Sequence, residues 1–220
     1  MSAAGVRTTS VATGGNVAVS TDDNRDDHAR RLPETSEGWA MARTWLSVRV
    51  DLVSGRGDDF WPRPGRVFAA APSHTFGQLA QAIDAAFARW DLAHMHMFTL
   101  ADGVGVTSLD QWDGDAPDGS IDSWATKLNR LALGEQFAYV FDFGDDWAHL
   151  CTVGEQKIDP FDTAGFKPDA PTAYWGWGAM PDQYGRGWDG DDGESPPPKR
   201  PSLPLADLPP ILPWWGPTRR

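Results

Sequence analysis

The sequence predicts an α+β fold: a single domain with a mixed or antiparallel sheet, two helices on one face, and irregular aromatic-rich loops toward the C-terminus. Three observations predict it. Apolar and polar residues alternate with period two in WLSVRVDLV and again between Phe137 and Val153, the mark of half-buried strands. Phe76, Leu79, Ile83 and Phe87 recur at spacings of three and four, the stripe of a helix lying on a core. The length, 220 residues, suits one domain with extensions better than two domains.

Residues 1–42 are rich in Ser, Thr, Gly and Ala and then in charge (Asp22, Asp23, Arg25, Asp26, Asp27). They hold too few large apolar groups to offset ordering entropy, so a disordered extension is expected. The domain is expected over 43–192. Its first strand carries Leu46, Val48, Val50 and Leu52 on one side and Ser47, Arg49 and Asp51 on the other. A Gly/Pro-rich stretch leads to a second strand from Val67 to Ala71. Thr75 and Gln78 form a capping box for the helix, whose stripe extends to Trp90 with Ala80 and Ala86. HMHMFTL then alternates, which puts His94, His96, Phe98 and Leu100 on one face of a strand. After an acidic loop (Asp110–Gly119), Ile121, Trp124, Leu128 and Leu131 predict a second helix over 123–133, closed by Gly134. Phe137, Tyr139, Phe141 and Phe143, a turn at Gly144-Asp145-Asp146, and then Trp147, His149, Cys151 and Val153 predict a hairpin, with Gly144 supplying a positive φ.

Beyond Asp159 neither period applies. Trp175, Trp177 and Tyr184 sit among Gly and Pro and are expected in an irregular loop as a binding surface of exposed rings. The tail, 193–220, is Pro-rich and favours extended polyproline conformations. Pro196–Pro198, Pro201 and Pro204 near Lys199 and Arg200 suit a protein partner; alternatively Ile211, Leu212, Trp214 and Trp215 dock on the chain's own domain.

Composition excludes several classes. A formal net charge of −12 opposes phosphate contacts, so direct nucleic-acid binding is disfavoured. A single cysteine, Cys151, forms no disulfide framework and no multi-cysteine zinc site. No apolar run is long enough for a membrane span, and a cytoplasmic location is expected.

Two segments carry the candidate chemistry: Trp90-Asp91-Leu92-Ala93-His94-Met95-His96-Met97-Phe98, and Tyr139 through His149 with Asp142-Phe143-Gly144-Asp145 at its centre. Together they resemble the plasmid pRiA4b ORF-3-like family, sometimes labelled insertion-element passenger or TnpR-like proteins. Trp90, Asp91, His94, His96 and Phe98 match the family's W-D-x-x-H-L-H-x-F, with Met95 in place of Leu. Tyr139, Asp142, Phe143, Gly144, Asp145, Trp147 and His149 match its Y-x-Y-D-F-G-D-x-W-x-H, with Phe141 in place of Tyr. The resemblance runs from about Trp45 to Gly193 and implies an α+β fold, but no single activity. Many members carry P-P-E-D-x-G-G downstream, where this chain reads Gly178-Ala179-Met180-Pro181-Asp182-Gln183-Tyr184-Gly185-Arg186.

The candidate functional cluster is therefore His94, His96, Asp142, Asp145 and His149. Its side chains would suit a divalent metal, with His94, His96 and His149 as ligands. The plainer reading makes the His residues hydrogen-bonding groups in a Trp-rich core and the Asp residues closers of the hairpin turn. No complete catalytic set is present. The leading expectation is a non-catalytic binding or protein-interaction module without a cofactor, acting alongside mobile-element genes. The alternative is a metal-dependent hydrolase using the His/Asp set.

Overall fold

Alternating strands that bury one side each need a shared layer to cover them, and here they pair into one large sheet. The computed structural model describes residues 43–188, 190–192, 195, 196 and 198–200; the expectations for 1–42 and for most of the Pro-rich tail lie outside the described residues. The strands are β1 (Leu46–Gly55), β2 (Asp58–Asp59), β3 (Gly65–Ala70), β4 (His96–Thr99), β5 (Gly105–Thr107), β6 (Ile121–Asp122), β7 (Gln136–Phe141), β8 (Trp147–Val153) and β9 (Thr172–Trp177). Their order is β6-β5-β4-β7-β8-β1-β3-β9, with β2 hairpinned onto β1. All pairs are antiparallel except β5 with β6, so the sheet is mixed and the fold α+β.

Helix α1 (Phe76–Ala86) covers one face. The capping box forms as expected: Gln78 N donates to Thr75 Oγ1 at 3.2 Å, and Thr75 N to Gln78 Oε1 at 2.9 Å. Phe76, Leu79 and Ile83 are buried against Val48, Val50, Leu52, Phe98, Tyr139 and Cys151. Each such side chain contributes roughly 1.5–3 kcal/mol of burial. The helix stops at Ala86. Ala88 takes a positive φ of 61°, so Trp90 leaves the stripe that spacing assigned it and is 44% exposed.

The expected helix over 123–133 does not form; a single turn of 3₁₀-helix, Leu128–Arg130, stands in its place. The reason is a competing use for its backbone. The N–H groups that open any helix lack partners inside it, and here Phe76 N donates to Thr126 O (3.0 Å) and Gly77 N to Ser123 O (2.8 Å). In return, Leu128 N and Asn129 N donate to His74 O and Pro72 O. The second of the two helices is instead the short α2 (Pro160–Ala164), so the place expected for it, 123–133, is corrected.

Trp124 lies flat on Gly77, where an added Cβ would come within 2.5 Å of the indole. Gly→Ala in a helix ordinarily gains up to about 1 kcal/mol, but overpacking costs about 1–3 kcal/mol, so Gly77→Ala should be net destabilising. A higher denaturation midpoint for Gly77→Ala would contradict this contact.

The β7–β8 hairpin follows the predicted alternation: Phe137, Tyr139, Phe141, Trp147, His149, Cys151 and Val153 are all buried on the helix side. Its turn differs. Phe143 leaves the strand and is 39% exposed. The left-handed positions are Asp142 (φ 57°) and Asp146 (φ 51°) rather than Gly144. Asp142 makes this affordable, since its Oδ1 accepts from Gly144 N (3.0 Å) and Asp145 N (3.4 Å). Of the Asp residues expected to close the turn, Asp142 is therefore the one whose carboxylate does so. Asp142→Ala should lower stability by about 1–3 kcal/mol, whereas Asp145→Ala, losing a half-exposed 3.7 Å pair with Arg56, should lose less than about 1 kcal/mol. Urea denaturation of the two variants checks the order.

Trp175 and Trp177 correct a second expectation. They belong to β9, which pairs with β3, and not to an irregular loop. The sheet face opposite α1 carries Arg49, which donates twice to Asp51 (2.7 and 2.9 Å) and lies 4.7 Å over the Trp177 ring.

Candidate functional site

His94, expected on the β4 strand face with His96, lies just before that strand. It is fixed by the residues around it. The Tyr184 hydroxyl donates to Asp91 Oδ2 (2.8 Å), leaving its oxygen to accept from His94 Nε2 at 2.9 Å. The other ring nitrogen, Nδ1, stands 3.4 Å from Asp142 Oδ2. The motif segment is itself held by the C-terminal loop: Trp90 N and Asp91 N both donate to Gln183 Oε1 (2.9 Å each), and Trp90 Nε1 donates to Asp182 Oδ2 (3.0 Å). Burial works against charge on Asp182, but Arg186 and the Trp90 indole outweigh it and hold the carboxyl below its ordinary pKa. The Asp182–Arg186 segment is thus the clasp of the Trp90–His94 segment.

Beside this rim is a cleft of about 160 Å³ between α1 and the β4 side of the sheet, whose walls include Asp84, His94, His96, Ser108, Gln111 and Trp124. Asp84 is its most perturbed group. It is 5% exposed, its Oδ1 accepts from the Tyr139 hydroxyl at 2.7 Å, and burial pushes its pKa up to about 7 against the lowering effects of Tyr139 and Arg89. His96 is buried, its pKa is lowered by that burial, and its Nε2 makes no hydrogen bond among the described residues. Behind Asp84, Arg89 lies 3.4 Å over the Trp147 ring, with burial lowering its pKa to about 10.

His149 is elsewhere. It is 2% exposed, its Nδ1 is 3.3 Å from Tyr139 O, and Phe87 meets its ring edge-on at 4.8 Å. Burial brings its pKa down to about 3. The structure therefore joins His94 with Asp142 and sets His94 and His96 on one cleft, but leaves His149 in the core and turns Asp145 toward Arg56. The convergence of His94, His96 and His149 expected for a metal is corrected. Among the described residues no group of three or more His, Cys, Asp or Glu is arranged to hold an ion.

The expected aromatic surface also divides. Tyr184 belongs to the His94 rim, while Trp177 borders a separate concavity of about 490 Å³ on the opposite sheet face with Arg49, Asp51, Trp61 and Arg63. That concavity is larger, but Arg49 and Asp51 already satisfy each other. The helix-side cleft is lined by His96, whose buried Nε2 has no partner among the described residues, and by the strongly perturbed Asp84, and is the better candidate site. Spacing overlooked Asp84, although a carboxylate four residues after Ala80 on the buried stripe was a readable signal. No signal in the sequence pointed to Arg89.

No helix among the described residues is long and apolar enough to cross a membrane. No curated protein matches the chain. A protein of unknown function from Methanosarcina mazei Go1, MM3350, has a solved structure that resembles it at 19% identity, covering 60% of this chain and 68% of that one with a TM-score of 0.48. The sequence model of the plasmid pRiA4b ORF-3-like protein family matches residues 58–183, which leaves β1 outside the match but takes in α1, the cleft walls, the hairpin and the Asp182–Gln183 clasp. By this match over more than half its length, the chain belongs to the plasmid pRiA4b ORF-3-like family.

Proposed function

We propose that the chain is a non-catalytic binding module whose recognition site is the helix-side cleft. One observation carries this reading: Asp84 and His96, both more than nine-tenths buried, line the same small cleft, where His96 Nε2 has no hydrogen-bond partner among the described residues and Asp84 bonds Tyr139 through Oδ1 alone. Unused capacity of that kind costs about 1–3 kcal/mol per group, which a ligand would recover. Candidate nucleophiles lend no support to catalysis. The Cys151 thiol is fully buried and its pKa is driven up by desolvation. Ser108 Oγ accepts from Trp124 Nε1 at 2.9 Å and has no histidine as its base. The metal-dependent hydrolase reading has less behind it, because His149 is packed under Phe87 and away from His94. A third reading, general acid–base catalysis, draws on the Asp84 pKa near neutrality.

Mapping amide and indole NMR shifts during titration with small amines, carboxylates, alcohols and amides tests the proposal. Saturable shifts should centre on His96, Ser108, Gln111 and Trp124. Shifts centred on Arg49, Trp61 and Trp177, with none in the cleft, would move the site to the other sheet face. Turnover of any of these compounds that is lost in Asp84→Asn would favour the acid–base reading.

A further inference from the structure

We infer that the cleft accepts a primary alkylammonium group, the chemistry shared by a lysine side-chain end and a free aliphatic amine. The inference rests on the reading of the cleft as a binding site and adds the class of ligand. Its first support is charge. Asp84 and Asp110 both border the cleft, and no Lys or Arg does, so an anionic group would meet two carboxylates and no compensating cation. The chain's formal net charge of −12 adds a long-range field of the sign that concentrates cations.

The second support is the balance of donors and acceptors. An ammonium brings three donors and no acceptor. The walls offer acceptors in kind: the second oxygen of Asp84, the Gln111 amide oxygen, the Ser108 hydroxyl and a histidine kept neutral by burial. A bare divalent ion would need three or more converging ligands, and the described residues provide no such group.

The third support is size and lining. A volume of about 160 Å³ falls short of the ~300–1,000 Å³ of sites for drug-sized ligands, which excludes a nucleotide but admits a short chain. Ala80, Leu92 and Phe141 supply apolar wall for methylene groups. Trp124, 45% exposed at the cleft, offers a ring to the cation.

The test uses the full chain at pH 8, above the Asp84 pKa of about 7 so that its carboxyl is ionised, and at fixed ionic strength, with binding read from the NMR shifts of His96, Ser108, Gln111 and Trp124. The probes are n-butylammonium, n-butanol, butyrate and Nα-acetyl-lysine amide. Butylammonium should saturate with a dissociation constant on the order of 1 mM, as befits a five-heavy-atom ligand, and at least about tenfold more tightly than butanol; butyrate should not bind. Asp84→Asn should weaken butylammonium at least about tenfold, the loss of one charge-assisted hydrogen bond. Should Asp84→Asn fail to fold, Asp110→Asn at the mouth should still weaken it severalfold. Acetyl-lysine amide binding as well as butylammonium would support a lysine-bearing protein as the source, and binding of butylammonium alone would support a free amine. Equal affinity for butanol and butylammonium, or an affinity unchanged in the folded Asp variants, would overturn the inference while leaving the cleft a binding site. No cleft shifts with any probe would remove the binding reading itself.

Discussion

Asp84→Asn is expected to be close to neutral at pH 4 and stabilising by as much as ~4 kcal/mol at pH 8. The sign follows from linkage. The folded-state pKa of Asp84 is raised from 3.8 to about 7 by burial, so well below pH 3.8 the carboxyl is protonated in both states and folding is not penalised. The unfolded carboxyl ionises first, from about one unit below its pKa of 3.8, and stability drains away as pH rises toward 7, until the folded carboxyl also titrates. Three pKa units at 1.36 kcal/mol each set the ~4 kcal/mol, a large share of the 5–15 kcal/mol typical of a domain. Asn keeps an oxygen for the Tyr139 hydroxyl and has no charge to bury. His149 acts in the opposite sense: its pKa is lowered from 6.5 to about 3, so its contribution is complete above pH 6.5 and is lost as pH falls toward 3. In the native chain the two slopes offset each other between pH 4 and 6.5. In Asp84→Asn the His149 slope stands alone, and stability should climb with pH across that window. Urea denaturation from pH 4 to 8 checks this; parallel profiles for the two proteins would refute it.

Arg89→Ala should lower stability by about 2–4 kcal/mol, the range for truncating a large buried side chain whose stem fills core space. Arg89 is 2% exposed and its guanidinium sits 3.4 Å over Trp147, which in turn stacks on Phe60 with centroids 6.2 Å apart. Truncation removes that stem and the positive charge nearest to Asp84 in the core. Arg89→Met fills the same space without a charge whose Nε and Nη2 make no hydrogen bond among the described residues, and should restore much of the loss. Thermal denaturation and the indole emission maximum report both effects. An Arg89→Ala variant within about 0.5 kcal/mol of the native chain would show that the stacked guanidinium contributes little.

The strands β1, β7 and β8 were legible because each buries one side only, and period-two alternation reports that directly. Helix α1 was legible down to its capping box. The false helix at 123–133 shows the limit of periodicity: Leu128 and Leu131 do turn inward and Ile121 packs against the core, while Trp124 stays exposed, and the carbonyls of Ser123 and Thr126 serve the opening N–H groups of α1, a partnership between distant segments that no local pattern reveals. The candidate site was half legible. The motif residues His94, His96 and Asp142 lie at or beside the cleft, whereas Asp84 was read as one more helical residue. Its role depends on which strand packs over α1, since only the Tyr139 hydroxyl and the β4 wall distinguish a buried carboxylate from a solvated one. His149 failed as a partner of His94 because strand alternation places it on the core face, where Phe87 covers it.

Asp84 is a buried carboxyl at the wall of the cleft, with no cation in contact among the described residues. Following the Asp84 side-chain carboxyl carbon by ¹³C NMR through a pH titration of the full chain measures this directly. A midpoint near 7 is predicted; a midpoint at or below about 4, the ordinary value for an exposed aspartate, would contradict it.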